Sequence, residues 1–386
     1  MAGFRSFLAF DIDRGCGAAM LLAVAAALVW ANSGASEGYQ ALRHLHVALP
    51  FPGRPEEVDL RHWVNELLMA VFFLQVGLEV RQELDGGLLS RPQRALLVTL
   101  AALGGMLVPI AIYLAFALPA GFGGGWGIPM ATDIAFVVGL LALVGGHRMR
   151  ELKVFLVGMA IVDDLGAIAV IAVAYSRAPE AWALAAVAGL LLLGWGYGRL
   201  GGRALWPFLL LGLPLWWFLT LSGIHGTLAG VLLAAVVPTA AGSEGAPAER
   251  LESWVRPLVL LFIMPLFAFF NAGVAPDPEV SWISPLSLGV FLGLALGKPL
   301  GILSFVWLTL RLHGGRLPPG VSWPGLLGIA LLAGVGFTMS IFITNLAFAT
   351  DRLADQARVA ILAASTVSAV AGMAVVRRVG RDDRAA

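Results

Sequence analysis

The stretch Val154-Phe-Leu-Val-Gly-Met-Ala-Ile-Val-Asp-Asp-Leu-Gly-Ala-Ile-Ala-Val-Ile-Ala-Val-Ala-Tyr175 decides how this chain must be read. A helix of that length spans about 33 Å at ~1.5 Å per residue, enough to cross a hydrocarbon layer of about 30 Å. Its only charged residues, Asp163 and Asp164, stand side by side at the centre. Acids at that depth are costly unless they face a cavity, a partner or a substrate path.

The rest of the chain agrees with a membrane reading. Of the 386 residues, 59% are hydrophobic and only 13% charged, where soluble proteins carry roughly a quarter. Lys plus Arg (25) nearly balances Asp plus Glu (24), so neither a nucleic-acid surface nor an acidic solvated tail is expected. The single Cys16 excludes a disulfide framework and a Cys-rich zinc site. No nucleotide fingerprint, phosphate loop or metal-binding His cluster occurs. With 47 glycines the chain has the Gly enrichment of membrane helices.

Apolar runs predict about twelve spans, at 15–32, 62–80, 95–117, 127–145, 154–175, 181–198, 204–220, 223–238, 255–274, 285–310, 324–349 and 358–376. The first is read as a span and not as a cleaved signal, because Asp11 and Asp13 precede it and its apolar run is too long. Twelve spans put both termini on one side. Eighteen basic residues then fall on that side and six on the other, with Lys298 inside a span to complete the 25. The positive-inside bias makes the termini cytoplasmic. In the first outer connection, His46-Val-Ala-Leu-Pro50 and Val58-Asp-Leu-Arg-His62 flank the turn Phe51-Pro-Gly-Arg-Pro55, a pattern that predicts a short β-hairpin.

Four ionisable residues sit where lipid would be: Asp133 in the fourth span, Asp163 and Asp164 in the fifth, Lys298 in the tenth. By helical rise all four reach the middle third of the bilayer. A hard cation such as Na+ or Li+ takes oxygen ligands, which carboxylates and backbone carbonyls supply. Adjacent helical residues point about 100° apart, so one acid can line a cavity while the other meets Lys298. Such a cluster titrates as a coupled unit, with cation and protons competing for the same oxygens. An intramembrane aspartyl protease fits less well, since its Gly-x-Gly-Asp context is absent and Lys298 has no part in it. A passive channel needs no mid-membrane ion pair, and a sodium/solute symporter needs an organic-substrate site that the spans do not offer.

The fourth span reads Gly125-Trp-Gly-Ile-Pro-Met-Ala-Thr-Asp133 and the eleventh carries Gly334-Val-Gly-Phe-Thr-Met-Ser340. Two interrupted segments in corresponding positions point to inverted-topology repeats, here spans three to five (95–175) and ten to twelve (285–376). Where two broken helices cross, half-helix ends leave partial charges of both signs. Asp133 would offset the positive ends and Lys298 the negative ones.

Seven stretches carry a resemblance that covers nearly the whole chain in order: Asn65-Glu-Leu-Leu-Met-Ala-Val-Phe-Phe-Leu-Gln-Val-Gly-Leu-Glu-Val80, Ile128-Pro-Met-Ala-Thr-Asp-Ile-Ala-Phe136, Ile161-Val-Asp-Asp-Leu-Gly-Ala167, Ser222-Gly-Ile-His225, Pro265-Leu-Phe-Ala-Phe-Phe-Asn-Ala-Gly273, Gly297-Lys-Pro-Leu-Gly301 and Gly334-Val-Gly-Phe-Thr-Met-Ser340. In these the chain resembles the NhaA family of bacterial sodium/proton antiporters. That family is itself a known case of inverted repeats, so the repeat assignment is not independent of the resemblance.

The resemblance implies an all-α polytopic protein of the bacterial inner membrane, a single transporter domain over 1–386. It would exchange cytoplasmic Na+ or Li+ for external H+, electrogenically and under pH control. It implies no enzyme activity and no cofactor. Asp164 would be the principal cation and proton carboxylate and Asp163 its partner, able to pair with Lys298. Thr132 and Asp133 would sit at the crossing of the unwound chains. Glu79, Glu83, Glu252 and His225 would belong to a cytoplasmic-side or interfacial pH response, and the outer hairpin (about 46–62) would pair across a homodimer in the lipid. The chain departs from the family around Glu252, where it has Glu249, Ser253 and Arg256 in place of Lys and His. Ser and Arg do not titrate near neutrality, which puts a shared pH-sensing cluster there in doubt.

Overall fold

The computed structural model describes residues 2–47, 58–87, 92–144, 147–176, 179–239, 245–275, 281–313 and 315–385. Among them, eight helices are long and apolar enough to cross a membrane, and up to ten if each of two bent pairs is one span. Ten of the twelve expected spans correspond to these. The seventh and eighth are shorter helices, Trp206–Leu221 and Leu228–Val236. Leu22, Val173, Leu192, Leu210 and Ile283 are each more than half exposed. Apolar side chains facing outward in such numbers need lipid and not water around them. The chain is a multi-pass membrane protein.

Contacts divide the chain into two compact units. One comprises Met1–Ala19, Leu88–Ala169 and Pro276–Ala386. Its helix Pro92–Ala117 packs on Lys298–His313, and the two come so close at one point that only glycine fits on either side. A Cβ on Gly104 would lie 2.3 Å from the Gly301 carbonyl oxygen, and one on Gly301 would lie 2.0 Å from that of Gly104.

Two segments of this unit break as their sequences suggest. Ile128–Met130 forms a single 3₁₀ turn, the chain then runs extended, and Ile134–Leu141 resumes as α-helix. Trp323–Ala333 and Phe337–Ala347 are separated by Gly334-Val335-Gly336 and bent by 40°. The two breaks meet: the Asp133 backbone N–H donates to the Val335 carbonyl at 2.8 Å.

A third irregularity lies in Gly293–Gly297, a π-helical turn directly before Lys298. Pro299 follows two residues later. Proline has no N–H to give the carbonyl four residues back, and its ring crowds that carbonyl. The helix answers by widening. The same register recurs at the π-turn Val259–Ile263, which Pro265 follows.

The other unit comprises Met20–Gly87 and Val170–Ala275. Here Met69–Asp85 packs against Leu228–Val236. A Cβ on Gly230 would lie 2.0 Å from the Ala70 carbonyl oxygen, so this pair too is set by a glycine. Arg81 closes the C-terminal end of Leu228–Val236, donating to the carbonyls of Ala234, Ala235 and Val237 and to the Thr239 hydroxyl. A cation there offsets the partial negative charge of the helix end. Asn65 and Asn271 exchange amide hydrogen bonds at 3.1 and 2.7 Å.

In the connection between the first two expected spans His46 pairs antiparallel with Asp59 and Val47 with Val58. The expected turn, Phe51 to Pro55, lies outside the described residues. The second strand ends earlier than the sequence pattern suggests, because Asp59 caps a helical turn, Leu60–Trp63, by accepting the His62 N–H. Among the described residues the pairing covers two residues on each side.

Candidate ion-binding site

The four ionisable residues expected at mid-membrane and Thr132, expected at the crossing, all lie in the first unit, and all are buried: Thr132 1%, Asp133 0%, Asp163 1%, Asp164 3% and Lys298 0% exposed. The π-turn delivers Lys298 at the first position of its helix. Its ammonium group has three N–H donors and meets three acceptors: the Met130 carbonyl and the Thr132 hydroxyl, each at 2.5 Å, and Asp163 Oδ2 at 3.0 Å. A lysine can stand in this position because no donor is stranded.

Asp163 Oδ2 also takes the Thr132 hydroxyl at 2.8 Å. That hydroxyl lies within 3.1 Å of the Ala333 carbonyl as well, and its single proton serves one acceptor at a time. The other oxygen, Asp163 Oδ1, is buried with no hydrogen bond among the described residues. Asp164 stands next along Arg150–Ala174 and acts on Lys298 electrostatically.

Asp133 is turned to different use. Its Oδ1 accepts the Phe136 N–H at 3.0 Å, in the first turn of Ile134–Leu141. Its Oδ2 accepts both the N–H of Thr338, at 3.1 Å, and the Thr338 hydroxyl, in the first turn of Phe337–Ala347. One carboxylate thus serves the N-terminal ends of two half-helices. The C-terminal ends face the cation: Lys298 takes the Met130 carbonyl directly, and Thr132 reaches Ala333, the last residue of its helix.

Among the described residues no group of three or more His, Cys, Asp or Glu side chains is arranged to hold a resident metal. The crossing instead offers carboxylate, hydroxyl and carbonyl oxygens around one buried lysine. Such oxygens suit a small hard cation or protons.

The family described as Na+/H+ antiporter 1 matches residues 8–376. The chain belongs to that family. It is 45% identical over 376 residues to the Na+/H+ antiporter NhaA of Acidovorax sp. (strain JS42), covering 94% of this chain and 89% of the relative. It is 44% identical to the protein of the same name from Rhizorhabdus wittichii, with 98% of both chains covered, and 44% identical to that of Rhodospirillum rubrum, with 96% of both covered. Membership in an antiporter family makes the chain a transporter and not an enzyme.

The residues that the family resemblance assigned to a pH response do not form one group. All four lie in the second unit. Glu79 and Glu83 lie in the last two turns of Met69–Asp85, where Glu79 accepts from Gln75, and Glu252 meets the same stretch by accepting from Gln82. His225 is elsewhere. The helix after it begins at Leu228, so it lies in a connection and not inside the expected eighth span. There it contacts Thr227 through Nδ1 and feels the charges of Glu66 and His62. Glu66 precedes Glu79 by thirteen residues, about 20 Å along a helix. Burial pushes the His225 imidazole below its ordinary pKa; Glu66 opposes that shift and His62 adds to it.

Several participants carried no sequence signal of their own. Thr338 and Ser365, whose hydroxyl accepts the Phe337 N–H, look like ordinary hydroxyls in apolar helices. Ser340 donates to the Ile128 carbonyl at 2.8 Å and so ties one broken segment to the other. The polar, Gly-rich stretch Gly334–Ser340 was the available pointer to two of the three.

Proposed function

We propose that the protein exchanges cytoplasmic Na+, or Li+, for external H+ across a bacterial inner membrane, with both termini cytoplasmic. The single observation that carries this reading is the buried Lys298–Asp163 pair at 3.0 Å, beside Asp164, where two broken helices cross. Family membership supports Na+ and H+ as the ions, and the relatives are named Na+/H+ antiporters.

The mechanism follows from competition. Asp164 is the principal carboxylate for cation and proton, and Asp163 is its partner. With no cation bound, Lys298 neutralises Asp163. A Na+ arriving at Asp164 needs further oxygens, and Asp163 Oδ1, Asp163 Oδ2 and the Thr132 hydroxyl are those at hand. Two positive charges on one carboxylate repel each other, so Lys298 gives way and loses its proton as Asp164 loses its own. More than one proton then moves for each Na+, and the exchange is electrogenic. Asp133 and Lys298 also hold the crossing together by offsetting the ends of the half-helices.

Two sets of helices, Pro92–Ala117 through His147–Ala174 and Pro285–His313 through Asp351–Ala385, each read as long helix, broken helix, long helix. That order supports inverted repeats within a single transporter. Glu79, Glu83 and Glu252 suit a response to cytoplasmic pH, and His225 a separate one. The paired strands His46–Val47 and Val58–Asp59 suit the edge of a homodimer.

A pH-gradient dequenching assay on everted membrane vesicles tests the reading. Na+ and Li+ should collapse a preformed proton gradient and K+ should not. A response to K+ equal to that to Na+, or none to any cation, contradicts it.

A further inference from the structure

The outer face of the first unit carries a slot that the exchange reaction does not use. It lies between Lys298–His313 and Trp323–Ala333, about 640 Å³ in volume, floored by Leu300, Leu303 and Leu327 and walled by Trp307 and Trp323. All of it is apolar apart from Ser304. At its end a second cleft of about 450 Å³ is framed by Trp307, Trp323, Arg311 and Arg316. The Arg311 guanidinium lies over the Trp307 ring, 5.2 Å from its centroid. Both arginines are exposed, and no carboxylate among the described residues pairs with either.

The dimensions match one lipid leaflet. Lys298 is at mid-membrane, so Leu300 begins near the midplane. Arg311 lies eleven residues further on, about 16 Å at ~1.5 Å per residue, close to half of a hydrocarbon layer of about 30 Å. The apolar slot therefore runs the depth of one leaflet, and the arginines stand where headgroup phosphates lie. Two tryptophans at the junction suit the same boundary. Unpaired cations call for an anion, and the slot beneath them calls for an acyl chain.

We infer that this groove is a binding site for one anionic phospholipid of the leaflet on the Arg311 side, its phosphate held by Arg311 and Arg316 and a chain laid along Leu300, Leu303 and Leu327. The charge bias makes that the cytoplasmic leaflet. The site rests on the chain's crossing a membrane and not on which ions it exchanges, so its test needs no transport. Its position on the helix that begins with Lys298 would let headgroup composition act on the crossing.

Native mass spectrometry of the detergent-solubilised full chain, offered phosphatidylglycerol and phosphatidylcholine of identical chains, reads the site. The expected result is one phosphatidylglycerol retained in preference to phosphatidylcholine by a factor on the order of ten. Arg311→Gln with Arg316→Gln should abolish that preference, while Arg377→Gln with Arg378→Gln, also exposed but on another helix, should keep it. Equal retention of the two lipids by the unmodified protein overturns the inference. So does an equal loss in both double variants, which would mean net charge alone. Displacement of the lipid by an equal concentration of inorganic phosphate overturns it in favour of a plain anion site. Loss of a protomer in place of a lipid from the first double variant overturns it in favour of a second copy of the chain.

Discussion

Asp133 and Thr338 belong to different broken helices, and one oxygen of the Asp133 carboxylate accepts both the amide and the hydroxyl of Thr338. Its other oxygen serves Phe136 in its own helix. This places one negative charge at two helix N-terminal ends, where partial positive charge collects. Asp133→Ala strands two buried N–H groups at about 1–3 kcal/mol each. Thr338→Val removes only a hydroxyl and should cost about 1 kcal/mol. Thermal unfolding in detergent should rank Asp133→Ala well below Thr338→Val, with Asp133→Asn between wild type and the alanine variant. Equal melting of Asp133→Ala and wild type would remove Asp133 from the crossing's stability.

Lys298 and Asp163 should behave as a pair. Lys298→Ala leaves a buried carboxylate without its cation, a loss of about 3–5 kcal/mol. Adding Asp163→Asn should recover part of it, since removing both charges is milder than removing one. Strictly additive losses in the double variant argue that the contact contributes nothing. Lys298→Arg separates the two roles assigned to this lysine, since arginine keeps the charge but releases no proton in the working range. A proton carrier at 298 predicts an altered proton-to-sodium ratio in that variant. A wild-type ratio and pH profile would leave Lys298 a structural role alone.

Transport should respond to membrane potential. If more than one proton moves per Na+, each net charge carried across 100 mV contributes about 2.3 kcal/mol. In proteoliposomes, imposing a potential at fixed pH gradient should change the rate of Na+ movement. A rate unaffected by clamping the potential to zero implies one-for-one exchange.

The crossing was legible in the sequence because its charges are out of place. Asp133, Asp163, Asp164 and Lys298 stand out against runs of Leu, Ala and Val, and Pro129 and Gly334 mark the breaks. The partners were not legible. Met130, Ala333 and Val335 take part through backbone carbonyls, which have no letter in a sequence. Thr338 and Ser365 resemble the hydroxyls that satisfy themselves within any apolar helix. The π-turn before Lys298 is hidden in Gly297-Lys298-Pro299 and becomes apparent only beside its twin before Met264-Pro265. The separation of His225 from Glu79 and Glu252 depends on which end of a helix each occupies, and motif order does not record that.

His225 gives a pH dependence of fixed sign. Burial lowers its pKa below the ordinary value of about 6.5. The unfolded chain then binds more protons than the folded one between the two values, so stability rises with pH in that window. As pH falls from about 6.5 through the lowered value, the protein should lose stability, and His225→Asn should flatten that loss. Melting temperatures of both proteins at several pH values below 7 check this. Parallel curves would mean that His225 does not titrate on unfolding.

The central claim is that Asp164 carries both the cation and a proton. Asp164→Asn keeps the shape of the side chain but can neither release a proton nor offer a charge. Purified, reconstituted and confirmed to melt as a folded protein, this variant should give no Na+-driven proton movement above empty liposomes at any pH tested. Near-normal Na+-driven proton movement by the same folded protein would contradict the account.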